Sequence, residues 1–234
     1  MPMYDFMIHT IETQFTVTKT LKEGPRGKVL LLRHRQTGKP YIFRHFTGDG
    51  DVYHKLLSIS CPNLPQVMEV TERDGEVAVL EEYIKGDTVA GLLEGALFTP
   101  GEVRTIVKEL CEGLWILHSM GAVHRDIKPE NVILRETGAV LIDFDASRIY
   151  KESRSSDTQV LGTTGYAAPE QYGISQTDGR SDIYSLGVLM NVMLTGKHPS
   201  TVLADGKMGR IILRCTMMNP EKRFQTIRHL MNAL

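Results

Sequence analysis

The sequence predicts an α+β architecture in two lobes, a small β-rich front half over residues 1–85 and a larger, mainly helical rear half over residues 86–234. Three observations predict it. The chain has 234 residues, enough to bury its own core without disulfide or metal staples. Before Gly86, short β-like runs alternate with glycine-containing turns. After Gly86 the apolar residues recur with helical spacing.

Phe15 to Thr20, Val29 to His34 and Lys39 to Phe46 read as strands, Val52 to Ile59 as a short helix, and Val77 to Ile84 as a further strand. The clearest helix covers 100 to 119. Thr99 stands at its N-cap, Pro100 at the first helical position and Glu102 three residues after the cap. Val103, Ile106, Val107, Leu110, Leu114 and Leu117 share one face, and Gly121 follows as a stop. A second helix is expected from just after Ser181 to Thr195-Gly196. Ile183, Leu186, Val188 and Leu189 make it apolar nearly all round, so it should lie buried at the centre of the rear half.

Composition narrows the function classes. The formal net charge is -1, and no basic run points to nucleic acid or an acidic membrane surface. Cys61, Cys111 and Cys215 are odd in number, far apart and without CxxC spacing, which argues for reduced thiols in a cytoplasmic protein. No apolar stretch is long enough for a bilayer, and residues 1 to 10 lack the pattern of a signal peptide.

Chemistry concentrates in three motifs. Between the two helices lies His124-Arg125-Asp126-Ile127-Lys128-Pro129-Glu130-Asn131. Asp143-Phe144-Asp145 follows, then Gly162-Thr163-Thr164-Gly165-Tyr166-Ala167-Ala168-Pro169-Glu170. In order and spacing they resemble the catalytic loop, metal-binding triplet and Ala-Pro-Glu segment of the protein kinase superfamily. The resemblance runs from about Phe15 to Leu234. It implies a two-lobed protein-kinase-like fold, with a nucleotide-binding front lobe and a catalytic rear lobe facing a shared cleft. Lys128-Pro129-Glu130 resembles the serine/threonine branch, in its bacterial, eukaryotic-like form.

Phosphoryl transfer gathers negative charge on the transferring group, so the protein must position the acceptor and neutralise that charge. Asp126 suits the carboxylate beside the acceptor hydroxyl, and Lys128 the cation near the γ-phosphate of ATP. Asn131 and Asp143 offer hard oxygens for Mg2+. By resemblance, Thr163 contacts Asp126 and Lys128, and His124 packs structurally behind the loop. Asp182 braces the catalytic loop, and Arg223 pairs with Glu170. The resemblance also implies nucleotide contacts from Gly24, Gly27, Val29, Ile42, Arg44, Glu82, Ile84 and Ile133. The expected partner is a protein substrate with Ser/Thr hydroxyls. Ser153, Ser155, Ser156 and Thr158 make residues 146–161 a candidate for autophosphorylation, where an added phosphate could pair with Arg125.

The front half departs from the family pattern. Lys22 replaces the first glycine of the phosphate-covering loop, leaving Gly24 and Gly27. Arg44 stands where the third strand should carry the lysine that holds the α- and β-phosphates, and the exchange is not conservative. Val52 falls where the following helix should supply that lysine's glutamate, with the shorter Asp51 beside it. Lys28, on the second strand, is a second candidate for phosphate contact. Glu81 stands at the back of the adenine pocket, where a charged residue is unusual, and Asp145 replaces the usual glycine of the triplet. Two rivals to an active serine/threonine kinase follow. One is a pseudokinase, a nucleotide-binding or scaffolding module supported by Arg44, Val52 and the degraded phosphate-covering loop. The other is a small-molecule kinase, disfavoured by the Ala-Pro-Glu segment.

Overall fold

The computed structural model describes residues 2–149, 165–172 and 177–234. They divide into two compact units, one holding the residues up to Cys61 with Pro65–Ile84, the other Pro62–Leu64 with Lys85–Leu234. No helix among the described residues is long and apolar enough to cross a membrane.

The first unit begins with a helix that the sequence reading did not anticipate, α1 (Met3–Gln14). It continues with β1 (Phe15–Gly24), β2 (Gly27–His34), β3 (Pro40–Thr47), α2 (Asp51–Leu56), β4 (Val67–Arg73) and β5 (Glu76–Glu82). The strands form one antiparallel sheet in the order β1-β2-β3-β5-β4. Successive strand residues point to opposite faces, so the register assigns each side chain a side. On one face Leu30, Leu32, Phe43 and Ala78 pack with Tyr4 and Met7 of α1. The opposite face carries Val29 opposite Arg44, Arg44 opposite Val79, and Ile42 opposite Glu81. Three residues that the sequence marks for nucleotide contact, Val29, Ile42 and Arg44, therefore share the face turned away from α1. Lys28 pairs with His45, on the α1 side. That register removes it as a phosphate contact beside Arg44.

The β1–β2 hairpin closes through Pro25-Arg26, with Gly24 opposite Gly27. Gly27 has φ +145°, and a Cβ there would lie 2.1 Å from the His45 carbonyl oxygen. Only glycine lets the hairpin tip pass so close to β3. Helix α2 is shorter than expected, and Val52, Tyr53 and Leu56 are its buried residues.

In the second unit β6 (Asp87–Thr88) leads to α3 (Val89–Leu93) and α4 (Pro100–Ser119). Thr99 and Glu102 form the expected reciprocal capping box on α4. Next come β7 (Ala122–Val123), β8 (Val132–Arg135), β9 (Gly138–Leu141) and β10 (Arg148–Ile149), then α5 (Gly179–Thr195), α6 (Gly206–Cys215) and α7 (Ile227–Ala233). The small strands pair as β6-β8-β9 and β10-β7. Helix α5 starts two residues before Ser181, because the Asp178 side chain caps the Arg180 N–H. As its apolar circumference predicts, eleven of its residues are buried, Ser181 and Asp182 among them. Pro62–Leu64 belongs to this unit through backbone pairing. Leu141 N–H donates to Asn63 O at 3.0 Å, and the Asn63 amide donates to Ala139 O at 2.9 Å.

Candidate active site

The loop 124–131 leaves β7 and ends in the 3-10 turn Pro129–Asn131 that enters β8. Asp182 holds its start from beneath. Its carboxylate accepts the backbone N–H of His124 and of Arg125, both at 2.9 Å, and contacts His118 Nε2 at 2.8 Å. Burial would raise this fully buried carboxyl. The His118 bond and charge and the Arg125 N–H outweigh burial and hold it below its ordinary value. Arg125 itself sits at φ +70°, in left-handed backbone. The buried Gln171 amide donates to its carbonyl at 2.7 Å, and Gln171 Oε1 accepts the Ala168 N–H at 3.0 Å. The Ala-Pro-Glu segment is thereby tied to the loop.

His124 is fully buried, and burial pulls its imidazole below its ordinary value against Asp182, Asp126 and Asp143. The ring is therefore neutral, and its neighbours fix the tautomer. Nε2 faces the Ile142 carbonyl at 3.2 Å and must donate, while Nδ1 accepts the Asp126 N–H at 3.3 Å. His124 thus packs behind the loop, with both ring nitrogens taken up by backbone groups.

Asp126, Lys128 and Asn131 form a compact knot. Lys128 Nζ lies 2.7 Å from Asp126 Oδ2. Asn131 Nδ2 donates to the Asp126 carbonyl at 2.8 Å and to Asp126 Oδ2 at 3.1 Å. Because a carbonyl can only accept, this fixes the amide orientation and commits both Nδ2 hydrogens. The remaining heteroatom, Oδ1, is an oxygen of the kind a hard cation takes. Asn131 O accepts the Ile142 N–H at 2.9 Å, placing the loop beside the strand exit that carries Asp143. Asp143 stands at φ +69°, and the following Phe144 is buried, edge-on to His124 at 5.3 Å between ring centroids. The donor set, one amide oxygen and one carboxylate, fits Mg2+ completed by substrate oxygens and water. Among the described residues no group of three or more His, Cys, Asp or Glu could hold a metal ion alone.

Glu170 and Arg223 pair bidentately at 2.6 and 2.9 Å, with Ser181 Oγ donating to Glu170 at 2.8 Å. Burial would raise Glu170, but the Arg223 hydrogen bonds prevail and hold it low. Of the other expected residues, Ile133 lies half-buried on β8 in the second unit. Gly24, Gly27, Val29, Ile42 and Arg44 lie in the first, as do Glu82 and Ile84 at the end of β5 and just beyond. Glu82 N–H donates to Gln66 O at 2.9 Å. Thr163 and the serines and threonine of 150–161 lie outside the described residues.

Residues 15–232 match the family model of the protein kinase domain. The chain belongs to the protein kinase family. It is 38% identical over 192 residues to a probable serine/threonine-protein kinase PknB of Corynebacterium glutamicum, covering 79% of this chain and 29% of that protein. It is 32% identical over 208 residues to the serine/threonine-protein kinase pkn2 of Myxococcus xanthus, covering 81% and 25%. To the serine/threonine-protein kinase PknA of a Nostoc species it is 28% identical over 272 residues, covering 97% and 48%. The chain thus spans between a quarter and a half of these relatives' length.

Two parts of this kinase domain escaped sequence reasoning. His118 is a polar residue on the otherwise ordinary last turn of α4, and only its contact with Asp182 gives it a role. Arg44 is not an isolated cation: its Nε lies 2.6 Å from Glu81 Oε1, with both side chains about 95% buried or more. The one signal in the sequence was Glu81, an acidic residue directly after the apolar run Val77–Leu80.

Proposed function

We propose that this domain is an ATP-dependent serine/threonine protein kinase that works in the cytoplasm, where ATP is available, on protein substrates and on its own segment 146–161. Residues 1–85 are its nucleotide-binding half and 86–234 its catalytic half. The observation that carries the reading is the knot of Asp126, Lys128 and Asn131 next to Asp143. An orienting carboxylate, a cation and one hard oxygen donor meet there in one short stretch of chain, and the Ile142 N–H bond to Asn131 O brings the strand exit with Asp143 alongside.

Asp126 holds the acceptor hydroxyl and takes its proton as the new O–P bond forms and the bond to the departing ADP oxygen breaks. Lys128 tempers the carboxylate and offsets charge at the transferred phosphoryl group. Asn131 Oδ1 and the Asp143 carboxylate would hold Mg2+, which when bound supplies charge neutralisation at the phosphate oxygens. In the first unit Val29, Ile42 and Ile84 supply apolar contact for the base, and the backbone of Glu82-Tyr83-Ile84, other than the Glu82 N–H that Gln66 O takes, supplies its hydrogen bonds. Arg44, with Gly24 and Gly27, meets the phosphates.

The test is transfer of labelled phosphate from ATP to the chain itself and to a generic basic protein. Asp126→Asn is expected to lower kcat about 10²–10⁴-fold, the usual share of a positioned general base. Asp143→Ala should abolish transfer. An Asp126→Asn enzyme as fast as the wild type would overturn the assignment.

A further inference from the structure

The sequence left Arg44 without the helix glutamate that a kinase cation at this place requires, and the structure supplies a different counterion. Arg44 lies opposite Val79 on β5, and Glu81 lies two residues further along the same strand. Diagonal neighbours on one face of an antiparallel pair are within reach of long side chains. Arg44 uses that reach to bring Nε to 2.6 Å from Glu81 Oε1. Both residues are buried among the apolar side chains of that face, Arg44 at 4% exposure and Glu81 at 2%. A guanidinium so placed needs a carboxylate partner, and the bond at Nε fixes the plane in which the Nη donors lie. Helix α2 offers no equivalent. Its residue at the expected place is the buried Val52, and its only acid, Asp51, is exposed in the first turn.

We propose that Glu81 is the positioning residue for Arg44, so that the counterion of the nucleotide-phosphate cation is built into the sheet in place of a helix glutamate. The inference rests on the kinase reading above. It makes the anchor constitutive: strand register holds the pair, and a movement of α2 would neither make nor break it. A cation held this way grips phosphate in ground state and transition state alike, so losing it raises KM and spares kcat.

Three variants test this: Glu81→Gln, Arg44→Met/Glu81→Leu, and Asp51→Ala. Each is assayed by titration with Mg·ADP, by steady-state kinetics with ATP, and by thermal melting. Glu81→Gln should weaken Mg·ADP binding and raise KM for ATP about tenfold or more, as expected when the buried guanidinium loses its counter-charge, with kcat within about threefold. The apolar double variant should recover wild-type melting, because a buried ion pair is replaceable by apolar packing, yet still bind Mg·ADP at least about tenfold more weakly. Asp51→Ala should bind within about twofold of wild type, as surface substitutions generally do. A double variant that binds Mg·ADP like the wild type would show that the pair serves folding only and would overturn the inference. So would a folded Glu81→Gln with unchanged KM, or a wild-type chain that binds no nucleotide. A wild-type chain that binds Mg·ADP but transfers no phosphate rejects the transfer reading alone, and the binding arm still decides the role of Glu81.

Discussion

Asp182→Asn isolates the brace beneath the catalytic loop. The wild-type carboxylate accepts two backbone N–H groups, from His124 and Arg125, one on each oxygen, and meets His118 as well. Asparagine keeps the shape but retains one acceptor, so its NH2 group must face one of the two backbone donors. One bond to a charged acceptor is lost and one N–H is left buried, at a cost of about 2–3 kcal/mol. For a chain of this length that corresponds to a fall in melting temperature of roughly 4–12 °C, readable by circular dichroism. The brace also fixes the backbone that carries Asp126. In phosphate transfer assayed well below both melting temperatures, kcat should fall about tenfold to a hundredfold. The pH dependence has a definite sign. The folded carboxyl lies below its ordinary value, so its contribution is present above the unfolded value of about 3.9 and is lost as pH falls through the folded one. The difference between wild type and variant should therefore stay level from about pH 8 to pH 5 and narrow only below about pH 4. Equal melting temperatures at neutral pH would refute the brace. A difference that narrows between pH 7 and pH 5 would show that another group carries it.

Two further perturbations address the first unit. Gly27→Ala forces a Cβ to within 2.1 Å of the His45 carbonyl oxygen at a positive φ and should lower stability by about 1–3 kcal/mol. Gly24→Ala, with nothing within 4 Å of its Cβ, should melt almost as the wild type does, and equal losses at both sites would contradict the hairpin geometry. Tyr4→Phe removes a hydroxyl that donates to Glu76 at 2.9 Å and contacts His45 Nε2 at 2.6 Å, and should cost about 1 kcal/mol in urea unfolding. No change there would mean that the hydroxyl adds nothing net and that α1 is held by its apolar packing and the Asp5–Arg73 ion pair.

What the sequence made legible was local chemistry. The helix at 100–119 was readable because Thr99, Pro100 and Glu102 build its start within four residues. The catalytic loop was readable because its working residues lie within eight positions, so sequence order alone puts them in reach of one another. Helix α1 was not, because it starts on Pro2 without a side-chain cap and leaves Met3 and Phe6 exposed, which blurs its apolar stripe. Strand β4 escaped for a related reason: Val67, Val70 and Thr71 are buried but Met68 and Glu69 are exposed, around an irregularity in its pairing with β5.

The Arg44–Glu81 pair was hidden by something different. Taken separately, each was a departure from the family pattern: an arginine for a lysine and a valine in place of a glutamate, which counted against activity, and an unusual charge at the back of the expected adenine pocket. The partners are 37 positions apart, and only the β3–β5 register makes them neighbours. Once paired, two of the three departures explain each other. An arginine buried without Glu81 or a glutamate buried without Arg44 would each cost several kcal/mol, whereas together they offset one another's charge and release position 52 to be a core valine. The ground for a pseudokinase that rested on a missing counterion therefore shifts to a question about geometry, and the nucleotide affinity of the Arg44→Met/Glu81→Leu variant decides it.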